Sequence, residues 1–157
     1  MTKRLCFVCM GNICRSPMAE AVFGHLAAQA GLDGRFEVDS AGTISYHVGE
    51  APDRRAQATA QGHGVQVVGR ARQFRPEDFP YFDLILAMDH DNVADLLSQA
   101  SNAAERKKVR LLREYDPEAS GDLEVPDPYY GGPEGFERAY QIIERSCQGL
   151  LQKLVEG

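Results

Sequence analysis

The sequence contains no tryptophan and only four cysteines in 157 residues. None of its apolar runs approaches the ~20 residues of a membrane span. Cys6, Cys9, Cys14 and Cys147 are too few for a disulfide scaffold in a chain this long, so a reduced compartment with at least one functional thiol is expected. Positive charge is also in deficit: 17 Lys and Arg stand against 23 Asp and Glu, a net charge of −6. That balance excludes a nucleic-acid partner held on a basic surface. Thr2-Lys3-Arg4 ahead of Leu5–Met10 has the order of a leader peptide, but its apolar part is short and runs into Gly11-Asn12. A cytoplasmic location is the default expectation. No Gly-x4-Gly-Lys-Ser/Thr loop occurs, which excludes a P-loop ATPase.

What is present is organised around Cys9-Met10-Gly11-Asn12-Ile13-Cys14-Arg15-Ser16-Pro17. The apolar run Leu5–Val8 before it reads as a buried strand. Met18, Val22, Leu26 and Ala30 after it form one stripe at i, i+4 spacing and read as an amphipathic helix. Ser16 is expected to cap that helix and Pro17 to occupy its first turn. Gly11 and Asn12 both tolerate a left-handed backbone that would turn consecutive N–H groups inward. Loop amides plus a helix N-terminus make an anion cradle. In an acidic chain, phosphate binding needs such locally concentrated positive potential, and Arg15 adds to it.

The remaining chain alternates strands and helices. Phe36–Ser40 and Phe82–Met88 read as strands, as does Val109–Leu112, while Val65–Val68 is a short strand or an extended segment. Helices are expected over 52–61, briefly within 75–81, after Asp89, and along the stripe Phe136, Tyr140, Ile143, Cys147, Leu150 and Leu154. Residues 98–106 read as a polar connection and 115–133 as a long loop, the kind that is often functional. This pattern implies one α/β domain spanning 1–157: a central four-stranded parallel sheet, helices on both faces, doubly wound. Right-handed crossovers then place Cys9 at a crevice along the carboxyl edge of the sheet.

A thiolate attacks phosphorus well, and a helix N-terminus with an adjacent arginine favours the thiolate form. Arg15 can grip two phosphate oxygens bidentately. Ser16 can donate a hydrogen bond to the sulfur and ease its departure. A free cysteine is more often a small buried hydrophobe, and Cys-x5-Arg alone would not displace that reading. The Gly-Asn pair, Ser-Pro and the strand–loop–helix context together favour a nucleophile. Cys6 lies three residues from Cys9 on a strand, where side chains face opposite ways, so the pair is not a chelate or a redox couple. Cys6 and Cys147 are expected in the core. Cys14 either guards Cys9 through a reversible disulfide or fills the loop.

Phosphoryl transfer needs an acid for the leaving oxygen, and Asp127 is the favoured group. Pro128 biases it to an extended conformation, and Gly131-Gly132 lets the loop fold over a cleft. Asp116, Asp122 and Glu124 compete with it. Asp89-His90-Asp91 has metal-ligand composition, but a helix cap explains Asp89, and no metal or cofactor is called for. His47 and His63 are expected at the surface.

Val8–Glu20 closely resembles the signature loop of low-molecular-weight protein tyrosine phosphatases. Asp39–Thr43, Ala71-Arg72-Gln73, Met88-Asp89 and Asp127-Pro128-Tyr129-Tyr130 match further family segments in order, so the resemblance covers essentially the whole chain. It implies a Cys9 nucleophile, phosphate held by Arg15 and by the loop Met10, Gly11, Asn12, Ile13 and Cys14, thiolate departure assisted by Ser16, and Asp127 as acid and then base. It also implies that Asn12 and Ser40 support the loop and that Tyr46 and Tyr129 wall the substrate ring. The implied partner is a phosphotyrosine-containing protein, a bacterial tyrosine kinase among the candidates, with a phosphate-like oxyanion in the site and no membrane. Many members carry histidine where this chain has Gly69, so the loop support must be shorter or differently satisfied here. Relatives similar to protein arginine phosphatases tend to have threonine at the place of Ile13. Arsenate reductases of the same fold need further cysteines in a later segment, and none lies between Cys14 and Cys147. A non-catalytic phosphate-binding module and a thiol redox protein are the readings from other classes.

Overall fold

The computed structural model describes residues 2–157. Its four strands are β1 (Lys3–Cys9), β2 (Phe36–Gly42), β3 (Leu84–Ala87) and β4 (Val109–Leu111), all parallel in the order β2-β1-β3-β4. β1 is central, and both of its faces are buried, which explains its near-continuous apolar run. Leu5, Phe7 and Cys9 face one core cluster, while Cys6 and Val8 face the other. Cys6 and Cys9 are thus on opposite faces, as the spacing predicts.

The six helices are α1 (Arg15–Gln29), α2 (Arg54–Gly62), α3 (Asp78–Tyr81), α4 (His90–Leu97), α5 (Ala103–Lys108) and α6 (Pro133–Glu156). Residues from α1, α2 and α6 fill the first core: Met18, Val22, Phe23, Ala56, Ala60, Phe136, Tyr140 and Ile143 among them. Phe79 of α3 and Leu96 of α4 fill the second, with Phe74, Phe82 and Ile85. A single sheet covered on both faces is the expected architecture, and it is one domain. Cys147 is fully buried on the inner side of α6.

Several local expectations change. α1 starts at Arg15, so Ser16 lies within its first turn and Cys14 holds the cap position with no side-chain cap bond. Its buried side runs through Met18, Ala19, Val22, Phe23 and Ala27, leaving Ala30 exposed at the C-terminal end. Residues 103–108 are helical rather than a connection. α5 buries none of its residues and stands on the Asn102 cap, whose side chain accepts from the Glu105 N–H at 2.8 Å. Val65–Val68 joins no ladder; Val65 and Val67 are buried while Val68 is exposed.

The long segment after the turn Leu112–Tyr115 is tied down at several points. Asp116 is buried and accepts from Arg113 and Arg145. The Arg113 guanidinium donates to the Glu124 carbonyl at 2.9 Å, and the Val125 N–H donates to the Met88 carbonyl at 2.8 Å. Burial pushes the Asp116 carboxyl up, but hydrogen bonds from Arg145, the Glu118 N–H and Arg113 hold it below the usual carboxylate range. No helix among the described residues is long and apolar enough to cross a membrane.

Candidate active site

The loop between β1 and α1 is held so that its carbonyls point away from the Cys9 sulfur. Thr43 and Ile44 N–H groups donate to the Cys9 and Met10 carbonyls at 3.0 and 3.1 Å. The Asp53 N–H donates to the Ile13 carbonyl at 2.8 Å, and the Met18 N–H to the Cys14 carbonyl at 3.3 Å. With the carbonyls drawn outward, the Asn12 N–H points inward and lies 3.3 Å from the Cys9 Sγ. Asn12 has φ 58°, the left-handed conformation that Asn adopts at small cost. Gly11 has no positive φ, contrary to expectation. It is small for a different reason, since a Cβ there would meet the His47 Cδ2 at 3.0 Å.

Asn12 is buried and uses its whole amide. Its Nδ2 donates to Ser16 Oγ at 2.8 Å and to Ser40 Oγ at 3.0 Å, while its Oδ1 accepts from the Arg72 N–H at 3.0 Å. Because Ser16 Oγ accepts from Asn12, its own proton is free for the Cys9 sulfur, 3.0 Å away; the Ala41 carbonyl is farther, at 3.5 Å. The hydroxyl expected to cap the helix therefore serves the thiol. Ser40 Oγ donates in turn to Glu20 Oε1 at 2.6 Å, and burial pushes the Glu20 carboxyl up. This is how the loop is supported without a side chain at residue 69. Gly69 has φ 104°, and a cavity of about 80 Å³ lies beside it, lined by Asn12, Glu20 and Ser40 among others.

Arg15 is 2 % exposed, and one end of its guanidinium is held by the protein. Its Nη1 donates to Asp89 Oδ2 at 2.7 Å and to the Val125 carbonyl at 2.9 Å, and its Nη2 lies 3.6 Å from Asp127 Oδ2. Burial works against the guanidinium charge, yet nearby Cys9, Asp89 and Asp127 raise its pKa, so Arg15 is a fixed cation. Asp89 does cap α4, accepting from the Asn92 N–H at 2.8 Å, and its second oxygen aims the arginine. That second task was not visible in the sequence.

A cleft of about 360 Å³ opens above the sulfur. Of the residues singled out from sequence, Cys9, Met10, Gly11, Ile13, Cys14, Arg15, Tyr46, Asp127 and Tyr129 line it. Asn12, Ser16 and Ser40 stand behind it as support. Ile44, His47 and Tyr130 also line it and were missed; His47 is against Gly11 rather than a free surface histidine. His63, in contrast, stacks on Tyr140 and pairs with Glu137 far from the cleft. The competing acids all have other tasks. Asp116 is buried between two arginines, Asp122 lies 3.6 Å from Arg113, and Glu124 accepts from the His90 N–H at 2.9 Å. Asp127 alone of the four reaches the cleft, with its Oδ1 accepting from the Tyr129 N–H at 3.0 Å.

Cys9 and Cys14 are separate free thiols, and burial pushes the Cys14 thiol well up, so it stays protonated. No group of three or more His, Cys, Asp or Glu side chains among the described residues is placed to hold a metal ion.

Residues 4–157 match the sequence pattern of the family described as low molecular weight phosphotyrosine protein phosphatase. The chain belongs to this family. It is 52% identical over 151 residues to a putative low molecular weight protein-tyrosine-phosphatase of Synechocystis, covering 96% of each chain. A protein tyrosine phosphatase from Entamoeba histolytica, solved with Hepes in its active site, superposes with a TM-score of 0.95 at 41% identity, covering 99% of each chain. Wzb of Vibrio vulnificus, solved in complex with benzylphosphonate, superposes with a TM-score of 0.84 at 29% identity over 98% of this chain and 99% of that one.

Proposed function

We propose that this low molecular weight phosphatase hydrolyses phosphotyrosine in proteins through a cysteinyl-phosphate intermediate on Cys9. The observation that carries this reading is the convergence of the Cys9 sulfur, the Arg15 guanidinium and the Asp127 carboxyl in one cleft that Ile13, Tyr46 and Tyr129 also line. The loop amides and Arg15 bind the three non-bridging phosphate oxygens, and the ring lies between the apolar walls.

In the first step the Cys9 thiolate forms the S–P bond while the P–O bond to the phenyl ring breaks. Protonated Asp127 gives its proton to the departing oxygen. In the second, Asp127 takes a proton from water, the water oxygen bonds to phosphorus, and the S–P bond breaks to release inorganic phosphate. The Ser16 hydroxyl receives the departing thiolate as a hydrogen-bond donor. Arg15, aimed by Asp89, stabilises the charge on the equatorial oxygens in both transition states.

A cleft lined by Tyr46 and Tyr129, with the Cys9 thiol buried in its wall, suits the long, flat phosphotyrosine side chain better than a short phosphoserine. Ile13 in the lining makes the cleft apolar, which disfavours a phosphorylated guanidinium. The natural partner is then a phosphotyrosine protein, a tyrosine kinase among them, and the reaction belongs to the cytoplasm. Aryl-phosphate turnover by the wild type in EDTA and reductant, lost in Cys9→Ser with anion binding retained, is the expected result. Absence of wild-type turnover, or full activity in Cys9→Ser, would overturn the proposal. A thiol redox protein would instead reduce arsenate with a thiol donor.

A further inference from the structure

Asp127 reaches the cleft on a turn that needs holding, and the residue that holds it is outside the reacting groups. The turn closes on itself through the Gly131 N–H, which donates to the Pro128 carbonyl at 3.0 Å. Its aromatic neighbours do little to fix it: Tyr130 is 93 % exposed, and the His47 ring is 6.4 Å from that of Tyr129. From α2, however, the Arg55 guanidinium lies over the Tyr129 ring, 5.3 Å from its centroid, and over the Phe136 ring at 4.7 Å. Nε and Nη2 of the same guanidinium donate to the two Asp53 carboxylate oxygens at 3.1 and 3.0 Å.

Edge to a carboxylate and face to aromatic rings is a use of the planar cation that lysine does not reproduce. Asp53 Oδ1 also accepts from the Arg55 N–H, which fixes the start of α2. These hydrogen bonds hold the Asp53 carboxyl below its usual range, so the pair is charged at neutral pH. The Asp53 N–H, in turn, donates to the Ile13 carbonyl of the phosphate loop. A continuous path therefore runs from Ile13 through Asp53 and Arg55 to Tyr129, whose N–H holds Asp127.

We propose that Arg55 is a positioning residue that latches the Asp127 turn over the cleft and sets its register against the phosphate loop. This rests on Asp127 being the general acid. The latch matters most where the leaving oxygen needs its proton early. Losing it should cost little with a good leaving group and more with a poor one.

The test is kcat/KM for phenyl phosphate relative to p-nitrophenyl phosphate, a ratio from which shared binding effects cancel. Arg55→Ala is expected to lower that ratio roughly fivefold, the size that exposed cation–π contacts support. Arg55→Lys should recover only part of it. In an Asp127→Asn background, Arg55→Ala should leave the ratio unchanged. An equal loss for both substrates, full recovery by lysine, or a ratio change that persists without the acid would overturn the latch. If Asp127→Asn alone leaves the ratio at the wild-type value, the assignment of the acid fails instead.

Discussion

The two loops that meet at the cleft are built on opposite principles. The Cys9–Ser16 loop is short, buried except at Met10 and Gly11, and braced from behind; Asn12 alone bonds two hydroxyls and one backbone N–H. The segment carrying Asp127 is long, and the acid's side chain is 37% exposed at its tip. It is tied to the rest of the molecule at Asp116, Glu124 and Val125, and its tip adds only short-range bonds of its own. The first loop must present a fixed array of donors to an anion, so rigidity serves it. The second must approach a leaving group and then a water, and an exposed tip on fixed roots allows both.

The comparison breaks most sharply at the acid. Asp127→Ala should lower turnover of an unactivated aryl phosphate by about 10²–10⁴ while leaving thermal stability unchanged, because no packing is lost. Steady-state kinetics with a melting curve checks both halves.

At the root of the same segment the expectation reverses. Asp116→Ala leaves two arginine side chains facing each other across a buried site and should destabilise the fold by about 3 kcal/mol, measurable by urea unfolding. The depressed Asp116 pKa also carries a pH signature. Its contribution is fully present above the unfolded carboxylate value of about 3.9 and is lost as pH falls through the lower folded value. Wild-type stability should therefore fall more steeply below about pH 4 than that of Asp116→Asn.

Within the phosphate loop, Ser16→Ala removes the donor to the departing sulfur. Breakdown of the intermediate should slow by about 10- to 100-fold, the worth of one hydrogen bond to a charged group. Its formation should slow less, so a burst of phenol is expected in rapid-mixing traces. Gly11→Ala should do least. Its Cβ needs only a small shift of the His47 ring, and stability should stay within about 0.5 kcal/mol by urea unfolding.

Local physics made the β1–loop–α1 unit legible in the sequence. An apolar run, a Gly-Asn pair and an amphipathic stripe are all encoded within a few residues of one another. Ser16 carries two sequence readings, a helix cap and a donor to the sulfur, and the folded loop keeps only the second. Asp89 was read as a cap, correctly, but its second oxygen meets Arg15 across 74 residues of sequence, a pairing no local pattern encodes. Glu20 and Arg72, which complete the support around Asn12 and Ser40, were missed for the same reason. α5 escaped because it has no apolar side at all; the helix formers Ala103-Ala104-Glu105-Arg106 and the Asn102 cap carry it. Asp127 was separated from its neighbours by Pro128 and the glycine pair, whereas the fates of Asp116, Asp122 and Glu124 became clear only from their partners.

The central claim, that the rigid loop supplies the nucleophile and the exposed tip supplies the acid, is tested most directly by trapping the intermediate. Asp127→Ala should be mixed with p-nitrophenyl phosphate, quenched in acid and digested for mass spectrometry. The account predicts one phosphoryl group on the peptide containing Cys9, accumulating because water is no longer activated. A phosphoryl group on another side chain, or turnover that proceeds with Cys9 unmodified at every quench time, would contradict it.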